Sequence, residues 1–258
     1  MLIPATKPHI CARVYDSAHF GQRPRVLAMF PFYNEAHYLR KMVRKLRNDL
    51  VDEFLGVDNG STDGGASILR ERGLRVLDQP RRGVGNCIRT AIEYGKKNGF
   101  DVLIVMAGND KDDPEEIPLL LDPILADRAD YVQGSRFLQG GSSPNLPLFR
   151  FIAIKILSIL FKLYSGAACT DLTNGFRAYR LSLFDDTKFR IYQSWLDTYE
   201  FEYYVHWKVY QGGYRVVEVP VTKTYPAVSG VAYTKIRPIV GWWKMLRPFF
   251  LLALGIKK

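Results

Sequence analysis

The chain has 258 residues, 47% of them hydrophobic, which is enough for one large α/β domain or two small ones around a sizeable core. Its formal net charge of +10 asks for an anionic partner, such as a membrane, a phosphorylated lipid, a sugar nucleotide or nucleic acid, unless it is only a solvated basic surface. No nucleic-acid motif is present, and the basic residues of the second half lie among apolar and aromatic ones, which favours a membrane surface over a nucleic-acid groove.

Residues 1–24 mix Pro, His and Arg without periodicity and read as an irregular arm. Residues 25–31 (RVLAMFP) form an apolar strand that runs into Phe32-Tyr33-Asn34-Glu35. Asn34 is placed to cap a helix carrying Leu39, Met42, Val43, Leu46 and Leu50. A second strand at 54–57 ends in the turn-rich run Asp58-Asn59-Gly60-Ser61-Thr62-Asp63-Gly64-Gly65, where Asp63 suits a helix N-cap. A third strand follows around 75–77. The loop at 81–86, with Arg81 and Arg82, then leads into a helix bearing Ile88, Ala91, Ile92 and Tyr94.

Residues 101–118 (DVLIVMAGNDKDDPEEIP) organise the rest. A short apolar run at 102–106 suits a buried parallel strand, and Asp113-Pro114 starts the next helix. Between them, a small-residue turn carries Asp110, Lys111 and Asp112. In open α/β sheets, ligands bind just beyond the carboxyl ends of strands, so this charged turn is the expected place for a phosphate-bearing substrate. A helix at 117–125 and a strand at 130–133 complete an alternation that predicts a mostly parallel sheet flanked by helices.

Beyond Phe137 the pattern changes. Residues 148–164 (LFRFIAIKILSILFKLY) form a helix in which Lys155, Ser158 and Lys162 share one narrow stripe. Two readings stand: a core helix with a solvated stripe, or a helix lying in a membrane interface. A helical stretch near 199–210 and a strand at 214–221 follow. At the end of the chain, Trp242 and Trp243 stand beside Lys244 and Arg247, with the short apolar run 249–256 beyond Pro248, which is again an interfacial pattern. The expected division is an arm at 1–24, one catalytic domain at 25–235 and a membrane-interface segment at 236–258. Cys11, Cys87 and Cys169 are few, odd in number and without a CxxC pair, which predicts a reducing compartment. The amino-terminal stretch lacks the apolar core of a signal peptide, and no uncharged apolar run approaches the ~20 residues of a spanning helix. The expected location is therefore cytoplasmic and peripheral, on the inner face of the membrane.

The ordered motifs resemble the family-2 glycosyltransferases of GT-A fold, in particular the dolichol-phosphate mannosyltransferase-like branch that loads sugars onto polyprenyl phosphates. Pro31-Phe32-Tyr33-Asn34-Glu35 is similar to the family's P-x-Y-N-E, and the run 58–64 to its D-D-G-S-T-D-G. VQGSRF (132–137), DLTNGFRAYR (171–180), YEFEYY (199–204) and GYRVVEVPV (213–221) fit in order, so the resemblance covers about 25–235. It implies a GT-A fold and an inverting transfer from a nucleotide diphosphate sugar to a polyprenyl phosphate or similar anionic lipid, with no nucleic acid involved. Rival readings are transfer to a glycan hydroxyl, or an inactive relative that only binds a nucleotide sugar.

The resemblance also assigns residues. Pro31, Tyr33, Glu35, Asp58 and Asn109 are the expected donor contacts, with Asp58 alternatively only closing its turn. Arg136 and Arg150 match positions facing the lipid phosphate, and Lys235 matches a basic loop residue that closes over the diphosphate. Arg177 is open between substrate contact and ion pairing within the fold. Glu200 and Glu202 are candidate general bases for a hydroxyl acceptor. The histidines His9, His19, His37 and His206 show no ligand spacing and read as structural. The departure lies at the centre, where the family's metal-holding Asp-X-Asp and the Gln after it become Ala107, Asn109 and Lys111. Mg²⁺ or Mn²⁺ wants carboxylates there, so no cofactor is firmly expected, and Lys111 is the expected catalytic cation. The alternative metal site is a displaced pair, Asp110 and Asp112.

Overall fold

The computed structural model describes residues 23–167, 169–226 and 240–257. Strand β1 (Val26–Phe32), α1 (Ala36–Met42), β2 (Glu53–Asp58), α2 (Gly65–Glu71), β3 (Arg75–Asp78), α3 (Val84–Lys97) and β4 (Val102–Val105) alternate as the periodicity predicts. Next come α4 (Ile117–Leu125), β5 (Tyr131–Ser135), α5 (Leu148–Ser165), β6 (Arg177–Arg180), α6 (Glu200–Gln211), β7 (Val216–Pro220) and α7 (Val240–Ala253). The seven strands make one sheet in the order β3-β2-β1-β4-β6-β5-β7. All neighbours are parallel except β6, which runs antiparallel to both β4 and β5.

Alternate residues of β1 feed two cores, as expected of a strand covered on both faces. Ala28, Phe30 and Phe32 face the core shared with α1, α2 and α4, while Leu27 and Met29 face that shared with α3 and α6. Pro31 is tolerated inside this central strand because the β1–β4 register ends at Met29–Val105, so its missing N–H falls where β4 has already left. A third cluster joins α5, α6 and α7 through Leu157, Phe161, Tyr203, Trp207 and Phe249.

Several local expectations need correction. Asn34 does not cap α1. It sits at φ 50°, its side-chain oxygen accepts Thr62 N–H at 2.8 Å, and Glu35 occupies the cap position. Asp63 is not the N-cap of α2, because Gly64 takes that place at φ 78°. The Asp63 carboxylate instead receives Gly65 N–H at 3.0 Å and Ala36 N–H at 2.7 Å, so it serves the starts of two helices. Strand β6 was not legible from its apolar content, since its buried positions include Arg177, 1% exposed.

In helix α5 the expected stripe of Lys155, Ser158 and Lys162 is exposed only at Lys162. Ser158 is buried, and the Lys155 ammonium lies 4.2 Å from the centre of the Phe137 ring. Ile154, Leu157 and Phe161 face inward, while Phe149 (57% exposed), Ile152 (49%), Ile156 (51%) and Ile159 (60%) form an outward apolar arc. In α7, Phe249 is core rather than surface, although Trp243, and Leu254 and Ile256 just beyond the helix, are exposed. Among the described residues, no helix is long and apolar enough to cross a membrane.

Candidate active site

The sheet reverses its winding at β1, because β2 and β3 lie to one side and β4 to the other. The carboxyl ends of β1 and β4 therefore diverge into a crevice, the usual ligand position in such sheets. A cleft of about 420 Å³ occupies it. Its walls include Pro31 at the end of β1, Tyr33 and Glu35 beyond it, Asn109 and Lys111 after β4, Arg136 after β5 and Arg150 in the first turn of α5. Gly108 permits this closeness, since a Cβ there would stand 2.7 Å from the Pro31 carbonyl oxygen.

The cleft is cationic around one aromatic ring. Tyr225 is 4% exposed, with the Lys111 ammonium 5.7 Å and the Arg150 guanidinium 5.9 Å from its ring centre, both within cation–π range. Its hydroxyl accepts a hydrogen bond from Arg136 Nη1. Lys223, also in the wall, donates to the buried Asp112 carboxylate and to Asn174 Oδ1 at 3.3 Å. Burial, then the charges of Lys223 and Arg150, push the Lys111 ammonium down to about 8. The sequence reading missed Lys223 and Tyr225. Their only signal is the run VTKTYP after β7, which contains no recognisable pattern.

Arg136 is in the wall but is heavily engaged. Its fork holds Asp171 at 2.6 and 2.7 Å, and Nη2 also reaches Thr173 Oγ1 at 2.8 Å. With 4% exposure it reads first as a buried ion pair that braces the end of β5. Arg150, half-buried and close to Lys111, is the arginine better placed toward the cleft space.

Other expected residues lie outside the lining. Asp58 sits at the end of β2 with one carboxylate oxygen accepting Ser61 N–H at 2.8 Å, closing its turn. Asp110 pairs with Lys45 at 2.6 Å, while Asp112 turns inward to accept Ala107 N–H at 2.8 Å and to pair with Lys223. Glu200 is fully buried against Arg247 at 2.6 Å, and Glu202 lies 3.9 Å from Arg177, so neither candidate base reaches the cleft. Arg177 resolves toward the fold, donating to the carbonyls of Asn174, Glu202 and Leu172 at 2.8, 3.1 and 3.2 Å. His206 is buried with Nδ1 2.9 Å from the Tyr131 hydroxyl, and His37 is exposed against Tyr38. Arg82 stands 5.0 Å over the Tyr33 ring. Lys235, His9 and His19 lie outside the described residues.

The residues present do not suit a divalent cation. The three positions beyond β4 offer a methyl group, a neutral amide and an ammonium, and Glu35 is the one carboxylate among the described lining residues. Nowhere among the described residues do three His, Cys, Asp or Glu side chains converge on a common point.

A cleft at the switch point of such a sheet, walled by Lys111, Arg150 and Lys223, is electrostatically suited to an anionic ligand. The chain belongs to glycosyl transferase family 2, whose model matches residues 28–188. It is 31% identical to polyprenol monophosphomannose synthase of Mycolicibacterium smegmatis, over 81% of either chain. It is also 31% identical to undecaprenyl-phosphate mannosyltransferase of Micrococcus luteus, over 77% of this chain and 83% of that one. Among solved structures, glucosyl-3-phosphoglycerate synthase of Mycobacterium tuberculosis, bound to Mn²⁺, uridine diphosphate and phosphoglyceric acid, superposes with a TM-score of 0.67. That match is 16% identical and covers 91% of this chain and 80% of that one. The fold is GT-A, and the protein is a glycosyltransferase.

Proposed function

We propose that the protein moves a sugar from a nucleotide diphosphate sugar to a polyprenyl phosphate or similar anionic lipid. It does so while docked peripherally on the inner face of a membrane. The observation that carries this reading is a juxtaposition: the cationic cleft opens beside the first turn of α5, whose outward face is apolar. A lipid phosphate held in that interface would meet Arg150 first, and a donor lying along the ends of β1 and β4 would meet Lys111.

The chemistry needs little more. An acceptor phosphate oxygen attacks the anomeric carbon, and the bond from that carbon to the β-phosphate oxygen breaks with its electron pair going to the departing diphosphate. One displacement inverts the anomeric centre. A phosphate dianion has no proton to lose, so no base is required, whereas a sugar hydroxyl needs one. The inward pairing of Glu200 and Glu202 favours the phosphate acceptor over a glycan hydroxyl. The names of the two mannosyltransferase relatives support the same class of acceptor.

The test is a panel of nucleotide sugars. At least one should protect the protein against heat unfolding and then yield a monoglycosylated lipid with a short polyprenyl phosphate. Protection without any lipid product, together with elongation of a free glycan, would contradict the reading.

A further inference from the structure

We propose that Lys111 and Lys223, with Arg150, form a built cation cradle for the donor diphosphate, in place of a divalent metal ion. This deepens the transfer reading above and rests on it. Backbone geometry brings the two lysines together: Asp112 and Lys223 form an antiparallel bridge, and Thr224 N–H donates to the Lys111 carbonyl at 2.9 Å. The segment after β4 and the segment after β7 are thus clasped together, and both lysines line the cleft.

Holding two ammonium groups together in a partly buried place is unfavourable by itself, and the lowered proton affinity of Lys111 reflects it. Asp112 offsets one of the charges through its pairing with Lys223, and Arg136 is offset by Asp171. Lys111 and Arg150 add two further cations to the same wall, with Glu35 as the carboxylate beside them.

In a metal site, two carboxylates and a divalent ion cancel, so the diphosphate meets local neutrality with a strong field at the metal. Here Ala107 and Asn109 bring no charge, and Lys111 leaves a net positive one. When the bond to the anomeric carbon breaks, the leaving nucleoside diphosphate gains one negative charge, and the acceptor phosphate loses one on forming its diester. Charge therefore moves toward the diphosphate, where fixed cations stabilise the transition state more than the ground state.

The experiment is calorimetric binding of UDP and of GDP, each with EDTA and with Mn²⁺. Wild type should bind one of them with equal affinity in both buffers. Lys111→Gln should weaken that binding roughly 10- to 100-fold, as for loss of a charge-assisted contact. Lys223→Gln leaves Asp112 without its partner, so the double variant Asp112→Asn/Lys223→Gln keeps the test valid, and it should show a loss of the same order with an intact melting transition. The triple variant Ala107→Asp/Asn109→Asp/Lys111→Gln should bind only with Mn²⁺. Wild-type binding that appears only with Mn²⁺, or folded lysine variants that bind as wild type, would overturn the cradle and leave the transfer reading standing. Binding of neither diphosphate in either buffer would also overturn the cradle, whereas the transfer reading falls only if the nucleotide-sugar panel above yields no protection and no glycosylated lipid.

Discussion

Replacing Phe149, Ile152, Ile156 and Ile159 of α5 together by Gln separates membrane docking from folding. Each of these side chains is about half exposed, from 49% to 60%, so their removal takes little from the core. Gln is a good helix former, so α5 itself should persist. Fully burying such a side chain is worth roughly 1.5–3 kcal/mol, and since about half of each is already covered, insertion into lipid gains about 1 kcal/mol apiece. The four together should supply about 3–5 kcal/mol, a factor of roughly 10²–10⁴ in partitioning. The assay is co-sedimentation with vesicles of increasing phosphatidylglycerol content, beside a thermal melt. Wild type should bind more strongly as anionic lipid rises, and the variant should stay in solution with an unchanged melting temperature. A variant that binds as wild type, or a wild type that ignores anionic vesicles at low salt, would refute the reasoning. Phe249 is the wrong probe for this purpose: it is 5% exposed against Phe161 and Tyr203, and Phe249→Ala should cost roughly 3–5 kcal/mol of stability.

Three further outcomes follow from the site and its supports. With Lys111 pushed down to about 8 by burial, Lys223 and Arg150, against Glu35 and Asp112, diphosphate binding should weaken as pH rises through that value and protons should be taken up on binding. Lys111→Arg should hold its affinity to higher pH, and a flat wild-type titration would count against the charge assignment. His206 is pushed well below its ordinary value by burial and then by Arg177, so below about pH 6.5 the unfolded chain takes up a proton that the folded one refuses. Stability should fall with acidification, by up to about 1.4 kcal/mol per pH unit from this group, and urea melts of His206→Gln should show a shallower acid slope. Asp171→Ala strands the buried Arg136 and should cost about 3–5 kcal/mol in the same melts, whereas an unchanged midpoint would mean that the pair does not brace β5.

The parts of this architecture written in local pattern were legible in the chain. The apolar runs of β1 and β4 gave the strands, and the turns after them carry Tyr33, Glu35, Asn109 and Lys111, which line one cleft. What depended on distant partners was not legible. Lys223 and Tyr225 reach the site through distant contacts such as the bridge between Asp112 and Lys223, which joins segments more than a hundred residues apart. Strand β6 hid behind Arg177, a buried guanidinium satisfied by three carbonyls, which no apolar pattern reveals. Helix α5 is apolar nearly all round, so its sequence left open which face is outward. Packing of Leu157 and Phe161 against α6 and α7 fixes its orientation instead. Asn34 and Asp63 had the right chemistry for capping but served other turns, because loop geometry decides which N–H groups lie within reach.

The most direct measurement of the central claim is the mass of the lipid product. Purified protein, anionic vesicles carrying undecaprenyl phosphate and the nucleotide sugar that best protects it against heat should be incubated with excess chelator. The account predicts undecaprenyl phosphate heavier by one sugar residue, of inverted anomeric configuration, formed mole for mole with the released nucleoside diphosphate. Nucleoside diphosphate released without any glycosylated lipid, in the presence of competent vesicles, would contradict it.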